Sequence, residues 1–209
     1  MATHSTPAGV VVEYFETLRW LANTARNAPS PTEARRSAAM SIILAVTAVE
    51  VFLNLWFRVY ATERSTQEIK DEFFANLASK ITLDQKLTQW PLLMLGKKLS
   101  LKTGPGGAFT KLKARRNSIV HFESTNDTVH ASNIIIHGLA DTTDYDSLNA
   151  KSAQEALQIS EALISEIFRL ADFDAETSLN AQVVWTGSDP LGKPIAAGPA
   201  PWIAPHVSR

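Results

Sequence analysis

The chain has 209 residues, 45% of them apolar, a formal net charge of −1 and no cysteine. That length supports one domain with a substantial core, with or without a tail. The charge excludes a global field aimed at a polyanion, and the missing thiols exclude disulfides, thiolate metal sites and cysteine nucleophiles.

The N-terminus, MATHSTPAGVVVEYFE, lacks a basic segment followed by a long apolar run, so no signal peptide is expected. Together with the missing cysteines this predicts a cytoplasmic location. Val11, Tyr14, Phe15, Leu18, Leu21 and Ala25 recur at helical spacing and predict a first amphipathic helix over residues 9–27. Pro31, Thr32 and Glu33 then open a long second helix over 32–63. Its segment AAMSIILAVTAVEVFLNLWFRVY, residues 38–60, is nearly long enough to span a bilayer. Glu50, Asn54 and Arg58 interrupt it at four-residue steps, which drift only about 40° each and so form one narrow polar stripe. A lone spanning helix would be strongly disfavoured by such charges near its middle, so a central helix of a soluble bundle is expected, with no membrane partner.

Ser65 and Glu68 have capping-box spacing and predict a third helix reaching Lys80. A short helix is expected over 83–90, stopping at Pro91, and KTGPGGAF reads as a loop. Helix resumes over 108–123. Residues 124–148 are polar apart from Ile134–Ile136, a run compatible with either a strand or a buried loop. The last strong helix covers 150–172, with Ala156, Leu157, Leu163, Ile164, Ile167 and Leu170 on one broad face. From residue 176 the periodicity fades into a Pro/Gly-rich stretch with Trp185 and Trp202 as anchors, while Trp20, Trp56 and Trp90 read as core or core-edge. The expected class is all-α: an up-and-down helical bundle of five to six helices over 1–175, with an irregular C-terminal tail over 176–209.

The chemistry-bearing residues concentrate on the 108–123 helix. On a helical wheel with Phe109 at zero, Phe109, Leu112, Ile119, Val120 and Phe122 share a buried arc, and Arg116 falls within it. An unpaired charge there is expensive, which makes Glu50 on the second helix a candidate ion-pair partner. Asn117 and His121 lie off that arc, one turn apart, so His121 is not an ordinary core histidine. Seven basic residues and no acidic one lie between Lys97 and Arg116, a local positive stretch suited to phosphate. Lys111, Lys113 and Arg115 are its candidate RNA-backbone contacts. His130 and His137, near Asp141 and Asp144, show no recognised ligand spacing, and no metal or cofactor is expected. Ser118 has no activating arrangement beyond its neighbouring histidine.

The segment ARRNSIVHF resembles the Arg-x4-His motif of the HEPN superfamily, helical domains frequent in RNA-cleaving toxins and defence systems. The order of helices over residues 10–172 is similar as well, although His121 is followed by Phe122 and Glu123 where several toxin members carry a tyrosine. The resemblance implies that Arg116 and His121 form a catalytic pair with Asn117 beside them. It further implies a homodimer with a composite cleft, metal-independent RNA cleavage by attack of the 2′-hydroxyl, and an antitoxin protein partner. Histidine suits the proton transfers of that reaction, and a guanidinium suits the charge building on the phosphate. The alternative is a non-catalytic helical module that binds RNA or a protein partner through the same fold.

Overall fold

The computed structural model describes residues 5–121 and 142–187 in full and residues 125–131 and 134–140 as backbone. The fold is an all-α helical bundle, with eight helices among the described residues rather than five or six: α1 (Pro7–Arg26), α2 (Pro31–Arg64), α3 (Gln67–Ala78), α4 (Leu83–Leu95), α5 (Gly104–His121), α6 (Thr143–Asp146), α7 (Ala150–Leu170) and α8 (Ala175–Thr186). The undecided apolar run at Ile134–Ile136 lies in a strand. β1 (Thr125–Ala131) and β2 (Ile134–Ala140) form one antiparallel hairpin, with Val129 opposite Ile136 and His130 opposite Ile135.

The chain divides into two compact units, and α1, α2 and α7 contribute residues to both. The first unit contains the C-terminal half of α2, then α3, α4 and α8. Its core is aromatic. Phe52 lies edge-on to Phe168 at 5.7 Å and to Trp185 at 5.6 Å, and Phe57 and Phe73 both lie edge-on to Trp90. Such pairs contribute about 0.5–1.5 kcal/mol each beyond the area they bury. The apolar run of α2 is therefore used internally: Phe52, Leu53, Trp56 and Phe57 are buried to within 2% of complete. By length and mean hydropathy α2 could cross a membrane, but 56% of its most apolar window is buried inside the protein.

Local chemistry moved several boundaries. The N-cap of α3 is Thr66, whose side chain makes no capping bond, so no capping box forms at Ser65 and Glu68. The box occurs instead at α4, where Thr82 Oγ1 accepts from Gln85 N–H and the Gln85 side chain accepts from Thr82 N–H. α4 also runs through Pro91 to Leu95, because burying Trp90, Pro91 and Met94 outweighs one lost backbone bond. It stops at Gly96, which adopts the left-handed conformation at φ 65° that favours glycine.

The expected tail is helical over its first part. α8 is capped by Asp174, whose Oδ1 accepts from Thr177 N–H at 2.7 Å, and is closed by Gly187 in the left-handed conformation. Ala181, Gln182, Trp185 and Thr186 are buried. Trp185 is thus a core residue of the first unit rather than the anchor of an extended tail. Residues 188–209, with Trp202, lie outside the described residues.

The second unit contains the C-terminal half of α1, most of α7, the N-terminal part of α2, and α5, α6 and the hairpin. Leu18, Ala22 and Ala25 of α1, Ile42, Ala45, Val46 and Val49 of α2, and Ala153, Ala156 and Leu163 of α7 are buried. Arg19 Nη2 donates to Glu161 Oε1 at 3.0 Å and Arg26 Nη2 to Gln154 Oε1 at 2.9 Å, joining α1 to α7. Ser160 of α7 is fully buried and satisfies its hydroxyl on the carbonyl of Ala156, with a longer contact to that of Ala45. Trp20, expected in the core or at its edge, is 63% exposed, since it lies about 200° around α1 from Leu18 and so faces away from the buried stripe.

Two outcomes test this description. Phe52→Ala should lower unfolding free energy by about 3–5 kcal/mol in urea titrations, while Trp20→Ala should cost under about 0.5 kcal/mol. The hydrogen bonds of Asp174 with Thr177 hold its carboxyl below the ordinary value of 3.8. Its contribution is therefore full above that value and is lost as pH falls through the lowered pKa. The stability difference between wild type and Asp174→Ala should accordingly be constant near neutrality and close on acidification.

Candidate functional site

α5 carries every candidate residue except Glu50. It is seated by Phe109, Leu112 and Ile119, which are 0–6% exposed, whereas Val120, expected on the same face, is 43% exposed. Phe122 lies outside the described residues. The helix begins earlier than expected, at Gly104, so the glycine-rich segment is its first turn rather than a loop. Gly104 enters at φ 61°, which an L side chain rarely adopts. Gly107 answers a different need: a Cβ there would sit 2.7 Å from the carbonyl carbon of Lys102 and 2.8 Å from its oxygen. The glycine lets residues 101–103 fold back against the first turn of α5. Ser100 secures that segment by accepting from Thr103 N–H, and Gly107 N–H donates to the Thr103 carbonyl at 3.1 Å.

At the other end of α5, Arg116 and Asn117 are half-buried and His121 is exposed. The Nε of Arg116 is buried without a hydrogen-bond partner. Arg35 Nε is likewise buried without a partner, but another nitrogen of its guanidinium pairs with Asp146 at 2.7 Å, and the group lies 5.8 Å from the Tyr145 ring. No carboxylate partner of Arg116 is found among the described residues, and Glu50, half-buried on α2, is not without an interaction of its own. A buried donor left unsatisfied costs about 1–3 kcal/mol, and such an atom in a native structure calls for an explanation. Ser118 donates its hydroxyl to the Arg115 carbonyl at 2.9 Å, an ordinary bond to the preceding turn.

The basic residues divide between two sides of α5. Lys111 is exposed, and Arg115 donates to Ser147 Oγ at 3.0 Å, fixing α5 to the residue that follows α6. Both line a cavity of about 560 Å³, together with Lys102. Lys113 is half-buried, has an interaction of its own and does not line that cavity. Neither do Arg116, Asn117 and His121. The cavity residues lie roughly 140° around the helix from Asn117 and His121, at 100° per residue.

The cavity was missed at the sequence level, although the run GPGG together with Lys102 held a signal for it. A cluster of small residues beside cations at a helix start allows close backbone approach. What could not be read was the opposite wall, Ser152, Glu155 and Ile159 of α7, which only packing brings to α5. No group of three or more His, Asp or Glu residues able to hold a metal occurs among the described residues. His130 and His137 are described only as backbone, opposite Ile135 and Thr128 in the hairpin register, and Asp141 lies outside the described residues.

Comparison with known protein families, with curated proteins and with solved structures finds no match.

The close approach at Gly107 has a measurable consequence. Gly107→Ala should force residues 101–103 off the first turn of α5 and destabilise the protein by about 1–3 kcal/mol, read as a lower urea midpoint.

Proposed function

We propose that this protein is a metal-independent endoribonuclease of HEPN type, acting as a cytoplasmic homodimer in a toxin, stress or defence setting with an antitoxin partner. The observation that carries the reading is the pairing of Arg116, whose buried Nε has no partner, with an exposed His121 on the same helix. An arginine held at that cost keeps donors available for a phosphate, and an accessible imidazole can exchange protons near neutral pH. The resemblance of residues 114–122 to the Arg-x4-His motif points the same way.

Helix geometry argues for two copies at the site. Arg116 and His121 lie about 7.5 Å apart along the axis of α5 and about 140° apart around it, so one helix aims them in different directions. Two α5 helices meeting across a dimer axis would bring the arginine of one copy and the histidine of the other to a shared phosphate. In that arrangement His121 accepts the proton of the ribose 2′-hydroxyl as its oxygen attacks phosphorus. The guanidinium of Arg116 stabilises the charge on the non-bridging oxygens. The bond to the 5′-oxygen then breaks, and that oxygen takes the proton that the imidazole accepted. The products are a 2′,3′-cyclic phosphate and a 5′-hydroxyl end. Asn117, one turn before His121, orients the imidazole or bonds a phosphate oxygen.

The test is cleavage of a mixed RNA pool in excess EDTA. Wild type should cleave, and Arg116→Ala and His121→Ala should each lose at least about 100-fold in rate, the low end of general acid–base contributions. Mixing the two inactive variants should restore part of the activity if the site is shared between copies. Intact RNA with a folded, dimeric wild type would favour the non-catalytic module that binds RNA or a protein partner.

A further inference from the structure

We infer that the cavity between α5 and α7 is a binding site for a phosphomonoester, separate from the Arg116–His121 pair and independent of the nuclease reading. Its volume of about 560 Å³ falls within the range of small-molecule pockets. Three cations line it, Lys102 from the segment before α5 and Lys111 and Arg115 from α5 itself, against one anion, Glu155. In a chain whose formal net charge is −1, this is a local excess of positive charge on concave surface.

The distribution of the lining defines the ligand. The cations share the α5 side, and Lys111 and Arg115 stand one helical turn apart, so a single phosphate can reach both. Arg115 is already aimed, because one of its nitrogens donates to Ser147 Oγ, itself tied to the Asp144 carbonyl. Leu112 and Ile159 offer an apolar wall for the body of the ligand. On the α7 side, Glu155 and Ser152 are placed to accept hydrogen bonds from a ligand hydroxyl, and Lys151 holds the Glu155 carboxylate at 3.7 Å. An anion at one end, a small apolar face and a donor at the other describe a phosphomonoester of a hydroxyl-bearing compound. Gly107 is the condition for the site: the approach it permits brings Lys102 to the cavity rim.

The ligand can be free, or it can be the phosphorylated end of an RNA strand. Calorimetric titration of the full chain with phenyl phosphate tests the shared chemistry. One-site binding is expected, with inorganic phosphate weaker because it lacks the apolar body. Lys102→Gln and Lys111→Gln, both at exposed residues and so unlike core changes, should each weaken binding about tenfold, as loss of a charge-assisted hydrogen bond implies. Lys80→Gln, at an exposed residue outside the cavity, should leave it within about twofold. Glu155→Gln should tighten binding of this hydroxyl-free probe, a gain that a merely structural role would not produce. Two RNA oligonucleotides differing only in a 5′-phosphate or 5′-hydroxyl separate the sources. Preference for the phosphorylated strand assigns the site to strand ends, and equal binding assigns it to free phosphomonoesters. Absence of phenyl phosphate binding to the folded wild type, or wild-type affinity in both lysine variants, would overturn the proposal, whatever the outcome of the RNA cleavage assay.

Discussion

Burial of α2 is the constraint on which the other helices depend. A 34-residue helix with a long, predominantly apolar stretch at its centre cannot remain solvated, and its residues supply core to both compact units. In the first unit Phe52, Trp56 and Phe57 meet the rings of Phe168, Trp185 and Trp90. In the second, the small residues Ala38, Ala45 and Ala48 and the branched Ile42, Val46 and Val49 are buried instead. The same helix thus uses large flat side chains at one end and compact ones at the other. Close-packed interiors make this choice matter, because a change of one methylene is felt by its neighbours. The polar stripe at Glu50, Asn54 and Arg58 grades from half-buried to exposed, with Asn54 Oδ1 buried and without a hydrogen-bond partner.

α5 shows how charge can be held near such a core. Its apolar residues Phe109, Leu112 and Ile119 seat the helix, leaving cations on two separate sides. On one side Lys111 and Arg115 enter a cavity with Lys102, where Glu155 and Ser152 balance them in part. Outside the cavity, Arg116 keeps a buried donor unused, and His121, about 140° around the helix from it, reaches solvent. The two sides differ physically. The first is concave and bipolar, suited to holding a small anion. The second does not line that cavity. A homodimeric nuclease site and a separate phosphomonoester site are therefore compatible readings of one helix.

Much of the second-unit geometry rests on a few polar ties rather than on area alone. Arg35 joins the start of α2 to Asp146 at the end of α6, and Asp146 also accepts from Thr142 Oγ1 at 2.7 Å. Arg115 reaches the adjacent Ser147. Exposed ion pairs contribute little individually, about 0–1 kcal/mol, but these converge on one short segment from two helices. Convergence of that kind fixes a position where the four-residue helix α6 has too few hydrogen bonds to fix it alone.

The helical class, the long central helix and the seating of α5 were legible in the amino-acid sequence, because periodic burial writes itself into residue spacing. The stripe of α1 is the clearest case: Val11, Phe15, Leu18 and Ala25 are buried and Tyr14 and Leu21 at its edges are half-buried. The motif ARRNSIVH was likewise visible as a run of residue types, together with the cost of an arginine inside an apolar arc. Where the spacing carried no period, tertiary contacts decided. α8 lacks an amphipathic stripe, since Ala181, Gln182, Trp185 and Thr186 are buried as polar and apolar residues together, yet it folds as a capped helix around Trp185. Pro91 stays inside α4 because its neighbours are buried. The cavity at α5 belongs wholly to this second kind. Its walls lie about 40 residues apart in the chain, and no local rule relates Lys111 to Glu155 until the helices pack.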